Sequence, residues 1–494
     1  MKPIIQIQDF KGGMTLNDKL ASKDQFHIGH GLDFYSRKGY LTVRPGFTKM
    51  TLSASEDIGQ PIQGMLYATG NGTFYFGADN GTIYKQDTIL TITSEHASAQ
   101  TGAIRGLVEY KGYMYYPQNT TIGRTDLAGA WTDNWQTGLT NVNFHPMKIS
   151  ADNKLYIGDD RYVSSWDGTT FTAQALDIQD DWEIQCLSDF GVNYLAIGAN
   201  NVASTSQTSQ GCKIILWSRA NSTVWDDEIT IPEKVIYAMF EKNGYLWVWA
   251  GSTTLSIYVI PIGGRTATKV FTFENDNTQD YTIYTYPNAV DYKDGRIYFA
   301  VSCNSNASTN SIPGVYSINA TPTNLELNLD MNPVSLYSYS GIVDIKSVKV
   351  INYSTGSSGI LYISGDNGTT ENLIRENLYT AESQFLIDSV YESVWFEAPV
   401  GKKMTIGGIG LDMLRRIGSG SITVSYKLDG DTSYTAIGSA YQENNGIGFY
   451  KKLVREGYRI KLKILISGGT ADDRMYISRL YVRGSLQDDS RITY

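Results

Sequence analysis

A short apolar triplet recurs along the chain, set between turn-forming residues. Its copies are Phe74-Tyr75-Phe76, Met114-Tyr115-Tyr116, Leu155-Tyr156-Ile157, Leu195-Ala196-Ile197, Leu246-Trp247-Val248, Ile297-Tyr298-Phe299 and Leu361-Tyr362-Ile363. The steps between their first residues are 40, 41, 40, 51, 51 and 64 residues. A tight turn precedes each triplet and another short strand follows it, so each repeat holds about four strands. One such sheet cannot bury both of its faces alone. A period near 40 residues is therefore typical of a β-propeller, whose sheets stack around an axis.

The turns repeat together with the triplets. Gly70-Asn71-Gly72 and Asp79-Asn80-Gly81 flank the first triplet, and Asn-Gly supplies the positive φ angles of a two-residue hairpin turn. The turns before later triplets are Tyr110-Lys111-Gly112, Ala151-Asp152-Asn153, Phe190-Gly191-Val192, Lys242-Asn243-Gly244 and Lys293-Asp294-Gly295. This register predicts that Leu155, Leu195, Leu246 and Ile297 occupy equivalent buried positions in successive blades.

Residues 1–54 are predicted to form an arm with one clear strand. Tyr40-Leu41-Thr42-Val43 is the strand, and Arg44-Pro45-Gly46 ends it, because proline lacks a ladder donor and glycine permits the turn. We expect this strand to pair with the last blade and close the propeller.

The repeats predict a propeller over residues 55–378 with six or seven blades. The final step of 64 residues leaves the number open. Either a loop rich in Ser and Asn is inserted around Cys303 to Pro313, or the seventh triplet belongs to a linking sheet outside a six-bladed ring.

After the repeats the pattern changes to longer alternating strands. Tyr458, Ile460, Leu462 and Ile464 alternate with Arg459, Lys461 and Lys463, the period of two of a half-buried strand. Residues 379–486 are therefore predicted to form a β-sandwich, and residues 487–494 a polar tail that is mobile or docked on a partner.

The composition agrees with an all-β protein of two large units. The chain has 494 residues with 35 Tyr, 48 Gly and only 12 Pro, as expected for many short strands joined by turns. A net charge of −9 argues against a basic surface that coats nucleic acid.

Cys186, Cys212 and Cys303 form no CxxC pair, so buried free thiols are expected rather than disulfides or a zinc site. The N-terminus lacks a signal-peptide pattern, and no stretch approaches the roughly 20 apolar residues of a membrane helix, so we expect synthesis in a cytoplasm.

The motifs that could indicate catalysis, nucleotide binding or metal binding are weak. His27-Ile28-Gly29-His30 spells an aminoacyl-tRNA synthetase signature, but nothing nearby alternates strand and helix as that fold requires. The acidic candidates for glycosidase-type carboxylate pairs are Asp180-Asp181, Asp226-Asp227-Glu228 and Glu274 to Asp280, and neighbouring acids on a strand point to opposite faces. Gly365-Asp366-Asn367-Gly368 offers too few oxygen ligands for calcium. We therefore predict no catalytic, cofactor-binding or metal-binding residues.

One segment resembles a known family. Gly12-Gly13-Met14, followed by a polar stretch and then the run from Gly39 to Phe47 ahead of a propeller, resembles the tail nozzle or packaged-DNA stabilisation proteins of short-tailed phages. The order of N-terminal arm, propeller and sandwich is similar along the whole chain, but the specific motif, Gly39 to Phe47, covers only about nine residues. The large insertions of the longer nozzle proteins are absent, so a fibre dock or nozzle tip does not carry over.

Membership of this family of phage tail proteins would imply a non-enzymatic virion protein that is made in the host cytoplasm and located in the tail. It would form a homo-oligomeric ring, usually six-fold, below the portal and adaptor, contacting other tail or fibre proteins and passing double-stranded DNA without tight binding. Three alternatives remain at this point: a carbohydrate-active propeller enzyme, a glycan-binding module, and a tail-tip or hub component of a long-tailed phage. No catalytic residue and no cofactor would follow from the resemblance.

Overall fold

The structure is a computed structural model of the 494-residue chain. It describes residues 3–7, 26–30, 32–35, 40–43, 47–52, 58–88, 90–98, 102–140, 144–202, 211–221, 224–274, 282–304, 313–320, 344–351, 359–366, 371–376, 389–417, 421–437, 448–467 and 474–488. All regular structure in these residues is β-strand, and they contain no helix long and apolar enough to cross a membrane. The chain divides into a larger unit, residues 48–315 and 339–375, and a smaller unit, residues 1–47, 316–338 and 376–494.

The repeats fold into a series of small antiparallel sheets. The N-terminal strands are β1 (Pro3–Ile7), β2 (Phe26–His30), β3 (Leu32–Tyr35), β4 (Tyr40–Val43) and β5 (Phe47–Lys49). The first sheet contains β6 (Thr51–Leu52), β7 (Ile62–Ala68), β8 (Thr73–Ala78), β9 (Thr82–Gln86) and β10 (Thr91–Ala97). The second contains β11 (Val108–Tyr110), β12 (Tyr113–Gln118), β13 (Thr121–Thr125) and β14 (Trp131–Thr137), and the third β15 (Met147–Ile149), β16 (Leu155–Asp159), β17 (Tyr162–Trp166) and β18 (Phe171–Asp177).

The later repeats continue in the same way. The fourth sheet contains β19 (Trp182–Phe190), β20 (Tyr194–Asn201), β21 (Cys212–Trp217) and β22 (Asp227–Ile231), and the fifth β23 (Val235–Lys242), β24 (Tyr245–Gly251), β25 (Leu255–Pro261) and β26 (Thr268–Phe273). The sixth contains β27 (Ile283–Tyr284), β28 (Val290–Lys293), β29 (Arg296–Cys303) and β30 (Gly314–Asn319). The seventh contains β31 (Asp344–Ile351), β32 (Ile360–Asp366), β33 (Glu371–Glu376) and, from the N-terminal part of the chain, β5.

These sheets form a β-propeller. One strand of each sheet contacts its counterparts in the neighbouring sheets. These inner strands are β7, β11, β15, β19, β23, β28 and β31; each contacts the next, and β31 contacts β7. Each predicted triplet lies on the strand next to these inner strands: β8, β12, β16, β20, β24, β29 and β32. Because each sheet packs between two neighbours, the apolar triplets are buried on both faces.

The predicted register is confirmed. Leu155, Leu195, Leu246 and Ile297 are each 0% exposed. The turns also behave as expected, since positive φ angles occur at Gly72, Gly81, Lys111, Gly112, Asn153, Gly191, Asn243, Gly244, Asp294 and Gly295. The predicted loop between Cys303 and Pro313 lies largely outside the described residues.

Polar side chains at the ends of the triplet strands join one sheet to the next. The Asn200 side chain accepts a hydrogen bond from the Ile236 amide (2.7 Å) and donates one to the Ile236 carbonyl (3.2 Å). Ser302 accepts from the Ile345 amide (2.8 Å), and Ser364 accepts from the Ile62 amide (3.1 Å). The inner strands have register shifts between Ile62 and Gly64, Ile184 and Cys186, Ile236 and Ala238, and Ile345 and Ser347. In three of these strands the residue at the start of the register shift, Ile62, Ile236 or Ile345, is thus held by a polar side chain of the preceding sheet.

The prediction that Tyr40 to Val43 closes the propeller is wrong. This strand, β4, pairs with β3 and with β41, the last strand of the chain, in a sheet of the smaller unit. The next segment closes the propeller instead: β5 joins β33, the Met50 amide donates to the Leu373 carbonyl (2.8 Å), and β6 pairs in parallel with β10. The short strands β4 and β5 lie on either side of Pro45-Gly46, and β-strand propensity alone does not show which strand each of them pairs with.

The smaller unit contains two sheets. Its C-terminal strands are β34 (Ser389–Ser393), β35 (Phe396–Glu397), β36 (Lys402–Ile417), β37 (Ser421–Leu428), β38 (Thr435–Ala436), β39 (Gly448–Gly457), β40 (Arg459–Ser467) and β41 (Arg474–Asp488). One sheet has the order β3-β4-β41-β36-β39, with β1 on β41, and the other has β2-β34-β40-β37-β38, with β35 on β40.

The alternating strand agrees with the sequence pattern in part. Ile460, Leu462 and Ile464 are buried as predicted. Tyr458, however, precedes β40 and is exposed. Lys461 is buried, with Nζ 6.0 Å from the centroid of the Trp395 ring. The predicted polar tail begins too early, because Gln487 and Asp488 still pair with Lys403 and Lys402. Residues 489–494 lie outside the described part of the chain.

Candidate functional site

A cavity of about 350 Å³ lies where inner strands of the propeller converge. Its walls come from five sheets, through Gln63–Leu66 on β7, Gly106–Val108 at β11, residues 144–145 and 147–149 at β15, residues 287–288 and Val290 at β28, and Ser347–Lys349 on β31. The first two sheets approach closely at Gly64, because a Cβ there would lie 3.1 Å from Leu107 Cγ and 3.3 Å from the Gly106 backbone, tighter than ordinary van der Waals contact. The bulges at Gly64 and Ser347 turn the inner strands at the cavity wall.

The neutral polar groups of the wall are used in the fold. Gln63 Nε2 donates to both carboxylate oxygens of Asp79 (3.0 Å each), and Ser347 Oγ donates to the Ile62 carbonyl (2.7 Å). Asn288 Nδ2 donates to the Arg105 carbonyl. These bonds fix the wall around the cavity and use the donors of Gln63 and Ser347 and one of the two amide hydrogens of Asn288.

The charged groups of the wall are cationic. Lys148 on β15 and Lys349 on β31 line the cavity, and no Asp or Glu belongs to the described lining. Lys148 Nζ lies 3.1 Å from Asp189 Oδ2, and Lys349 Nζ lies 3.2 Å from Asp291 Oδ2. Both lysine side chains remain partly accessible, at 35% and 42% exposed.

His145 anchors the cavity wall between the second and third sheets. Its side chain is buried, with Nδ1 3.1 Å from the Gly158 carbonyl and Nε2 2.7 Å from the Asn119 carbonyl. The Asp159 carboxylate is 3.6 Å from Nδ1 and also accepts hydrogen bonds from the Thr140 amide and hydroxyl (2.7 Å each). Both ring nitrogens thus face backbone carbonyls, which gives the ring a structural role in the wall.

A half-buried charge cluster joins the sixth and seventh sheets. Lys346 Nζ lies 3.1 Å from Asp366 Oδ2, 3.8 Å from Asp344 Oδ2 and 3.9 Å from Glu371 Oε1. Asp344 accepts hydrogen bonds from the hydroxyls of Tyr284 (3.2 Å) and Tyr286 (3.0 Å). One ammonium thus faces three carboxylates, and Glu371 Oε2 is buried without a hydrogen-bond partner among the described residues.

Protonation of this cluster follows from its burial. Burial raises the pKa of Glu371 to about 7, and the nearby Asp366 and Asp344 add to this against the opposing effect of Lys346. Burial also raises the pKa of Asp344. For Lys346, burial opposes the charged form, but Glu371, Asp344 and Asp366 outweigh it and raise the pKa.

The cluster predicts a pH dependence of stability. Because the pKa of folded Glu371 lies above its ordinary value, the folded protein holds a proton that the unfolded chain releases between about pH 4.5 and pH 7. The free energy of unfolding should therefore fall as the pH rises through this window. Glu371→Gln should flatten that fall and raise the unfolding midpoint at pH 8, measured by urea titration at several pH values.

A matched control for this measurement is Glu95→Gln, which removes a glutamate paired with Lys85 elsewhere in the propeller. This variant should keep the wild-type pH dependence. If Glu371→Gln and wild type lose stability equally between pH 5 and pH 8, the buried charge of Glu371 is not the cause.

In the described residues, acids of the runs considered from the sequence contact cations or loop hydrogen-bond donors. Asp180 is 83% exposed and contacts Arg161, while Asp227 pairs with Arg265. Asp226 accepts from the Ser218 amide and hydroxyl, and Glu228 pairs with Lys213 (3.0 Å). Residues 275–280 lie outside the described part of the chain. These acids hold strand ends and loops.

The cysteine prediction is confirmed, because Cys186, Cys212 and Cys303 are free and buried. Burial raises the pKa of Cys212 to about 12 and that of Cys186 further, so neither is a ready nucleophile. Within the described residues no three His, Cys, Asp or Glu side chains are grouped to hold a metal ion. Asp366, the first acid of the calcium-like turn, instead contacts Lys346.

Sequence reasoning missed both the cavity and the charge cluster. The available signal was a lysine next to apolar residues of an inner strand, as with Lys346 and Lys349 in β31 or Lys148 in β15. Apart from Asp344 on β31 itself, the partners of these lysines come from other strands or other sheets, so no local pattern identifies them.

Comparisons with known proteins show no family for this chain. No protein-family model and no curated protein matches the chain. The extracellular domain of a hybrid two-component system from B. thetaiotaomicron is 10% identical, with a TM-score of 0.48 over 76% of this chain, which spans 43% of that chain. Catalytically inactive virginiamycin B lyase from Staphylococcus aureus, solved with quinupristin, is 12% identical, with a TM-score of 0.47 over 67% of this chain and 99% of that chain. A WD40 β-propeller domain is 12% identical, with a TM-score of 0.42 over 67% of this chain and 97% of that chain. The β-propeller assignment rests on the chain's own sheets and on the cyclic contacts of their inner strands.

Proposed function

We propose that this chain is a non-enzymatic structural component of a phage tail, part of the ring below the portal and adaptor that conducts or retains DNA. The observation that carries the proposal is how the propeller is closed and how the segments before and after it pair. Its first and last sheets are joined through β5, Met50 and β6, and the segments before and after it return to shared sheets of the smaller unit. A body closed in this way has no free terminal blade to peel away under load.

We assign seven blades to the propeller and a β-sandwich to the smaller unit. Support for seven comes from the cyclic contacts of the inner strands and from the separate sheet that holds each apolar triplet. Support for the sandwich comes from the buried apolar residues of its two sheets. These are Ile406, Ile409, Leu411, Leu480 and Val482 in one sheet and Ile422, Val424, Ile460, Leu462 and Ile464 in the other. This order of a propeller followed by a sandwich is the one implied by the resemblance to nozzle proteins.

The charge of the chain fits a wall past which DNA moves. A net charge of −9 means that carboxylates outnumber cations in the chain, which disfavours phosphate contacts overall. We assign the propeller the role of a rigid outer body, with neighbouring subunits meeting through sheet edges and loops.

Purified protein should test the proposal in two measurements. Native mass spectrometry should detect a homo-oligomer, with six copies as the expected number. Fluorescence polarisation should detect only weak binding to duplex DNA at physiological salt. A monomer at all concentrations that also turns over a glycan, with the turnover lost on changing one axial carboxylate, would replace the proposal with a carbohydrate-active enzyme.

A further inference from the structure

We propose that the cavity at the inner strands binds a small organic anion, a molecule with carboxylate or phosphate oxygens on a partly apolar body. This inference stands apart from the tail assignment, because it rests only on the cavity of the propeller. Its volume of about 350 Å³ falls within the range of small-molecule sites, roughly 300–1,000 Å³. A DNA duplex, whose major groove alone is about 12 Å wide, is far too large for this cavity.

The charge of the lining selects an anion. Lys148 and Lys349 approach the cavity from the third and seventh sheets, and the described lining contains no carboxylate. Anionic oxygens would therefore meet two ammonium groups, whose present carboxylate partners, Asp189 and Asp291, are not themselves part of the described lining. Inside a concave site of lowered dielectric constant, such contacts are stronger than at an open surface.

Both lysines can turn to a ligand without leaving a bare carboxylate behind. Asp189 would keep its hydrogen bonds from the Ser150 hydroxyl (2.6 Å) and the Ala151 amide (3.3 Å). Asp291 would keep those from the Val350 amide (2.9 Å) and the Tyr292 amide (2.8 Å). The carboxylates are thus held by the fold, whereas the partly exposed ammonium groups are free to exchange partners.

The rest of the wall explains why the ligand should carry an apolar body. Gln63 and Ser347 already use their donors on Asp79 and on the Ile62 carbonyl, and Asn288 uses one of its two amide hydrogens on the Arg105 carbonyl. The other lining side chains include Met65, Leu107, Val108, Met147 and Val348. An anion with a short carbon skeleton would contact these groups, whereas an uncharged sugar would find few free hydrogen-bond partners.

Isothermal titration calorimetry with citrate, inorganic phosphate and glucose tests the proposal on the full chain. We expect binding of citrate, of phosphate or of both, and none of glucose. Citrate alone would identify a carboxylate ligand, and phosphate alone a phosphoryl ligand. Lys148→Gln combined with Lys349→Gln should weaken binding at least tenfold, whereas Lys85→Gln, an ion-paired lysine of similar exposure (39%), should leave it unchanged.

A second measurement on the wild-type protein does not depend on the folding of variants. Lysine acetylation followed by mass spectrometry should show slower modification of Lys148 and Lys349 in saturating citrate or phosphate, with Lys85 unaffected. The proposal is overturned if neither anion binds, if the double variant binds as well as wild type, or if the anions protect all three lysines equally.

Discussion

Met50→Ala is expected to lower the free energy of unfolding by about 2–5 kcal/mol, the usual cost of truncating a fully buried Met. Met50 is 0% exposed and lies between the first and last sheets of the propeller. Its side chain belongs to a cluster with Ile62 and Phe76 from the first sheet and Tyr362 and Leu373 from the last. Loss of this side chain therefore weakens the contact that closes the ring, and urea denaturation followed by fluorescence measures the effect.

Two further variants at this position separate packing from backbone pairing. Met50→Leu keeps the volume and should cost less than about 1.5 kcal/mol. Met50→Pro also removes the amide that donates to the Leu373 carbonyl, so it should be more damaging than Met50→Ala. Equal stability of wild type and Met50→Ala would contradict the closure through residues 47–52.

Leu246→Ala should destabilise the protein by a similar amount, about 2–5 kcal/mol. Leu246 is fully buried on β24 and packs in a cluster that includes Phe190, Leu216 and Ile260 from the fourth and fifth sheets. Val192→Ala serves as the control, because Val192 is 75% exposed in a turn and its truncation should change stability by less than about 0.5 kcal/mol. A cost below about 1 kcal/mol at Leu246 would mean that the interface between these two sheets relaxes around the missing side chain.

Local signals in the sequence predicted the repeating part of the fold well. The triplets and their Gly-containing turns carry both the strand and the hairpin in a few neighbouring residues, as at Asn243-Gly244 ahead of Leu246. Hairpin pairing is local, so the turn sets the register of the two strands beside it. Burial of Leu155, Leu195 and Ile297 follows from the same register.

Long-range pairing was the part that the sequence could not supply. β4 and β5 are separated only by Arg44-Pro45-Gly46, yet one pairs with β41 and the other with β33. The bulges of the inner strands depend on side chains from the preceding sheet, such as Asn200 on Ile236. The candidate site had the same limit, since Lys346 and Glu371 meet through the seventh sheet and Lys148 meets Asp189 across two sheets.

Electron cryo-microscopy of phage particles assembled with a tagged copy of this chain tests the central claim most directly. The account predicts density for a propeller with an attached two-sheet domain, repeated in a ring around the tail axis below the portal, with six copies expected. Density for the chain in the capsid shell, or particles that assemble and retain their DNA without it, would contradict the account.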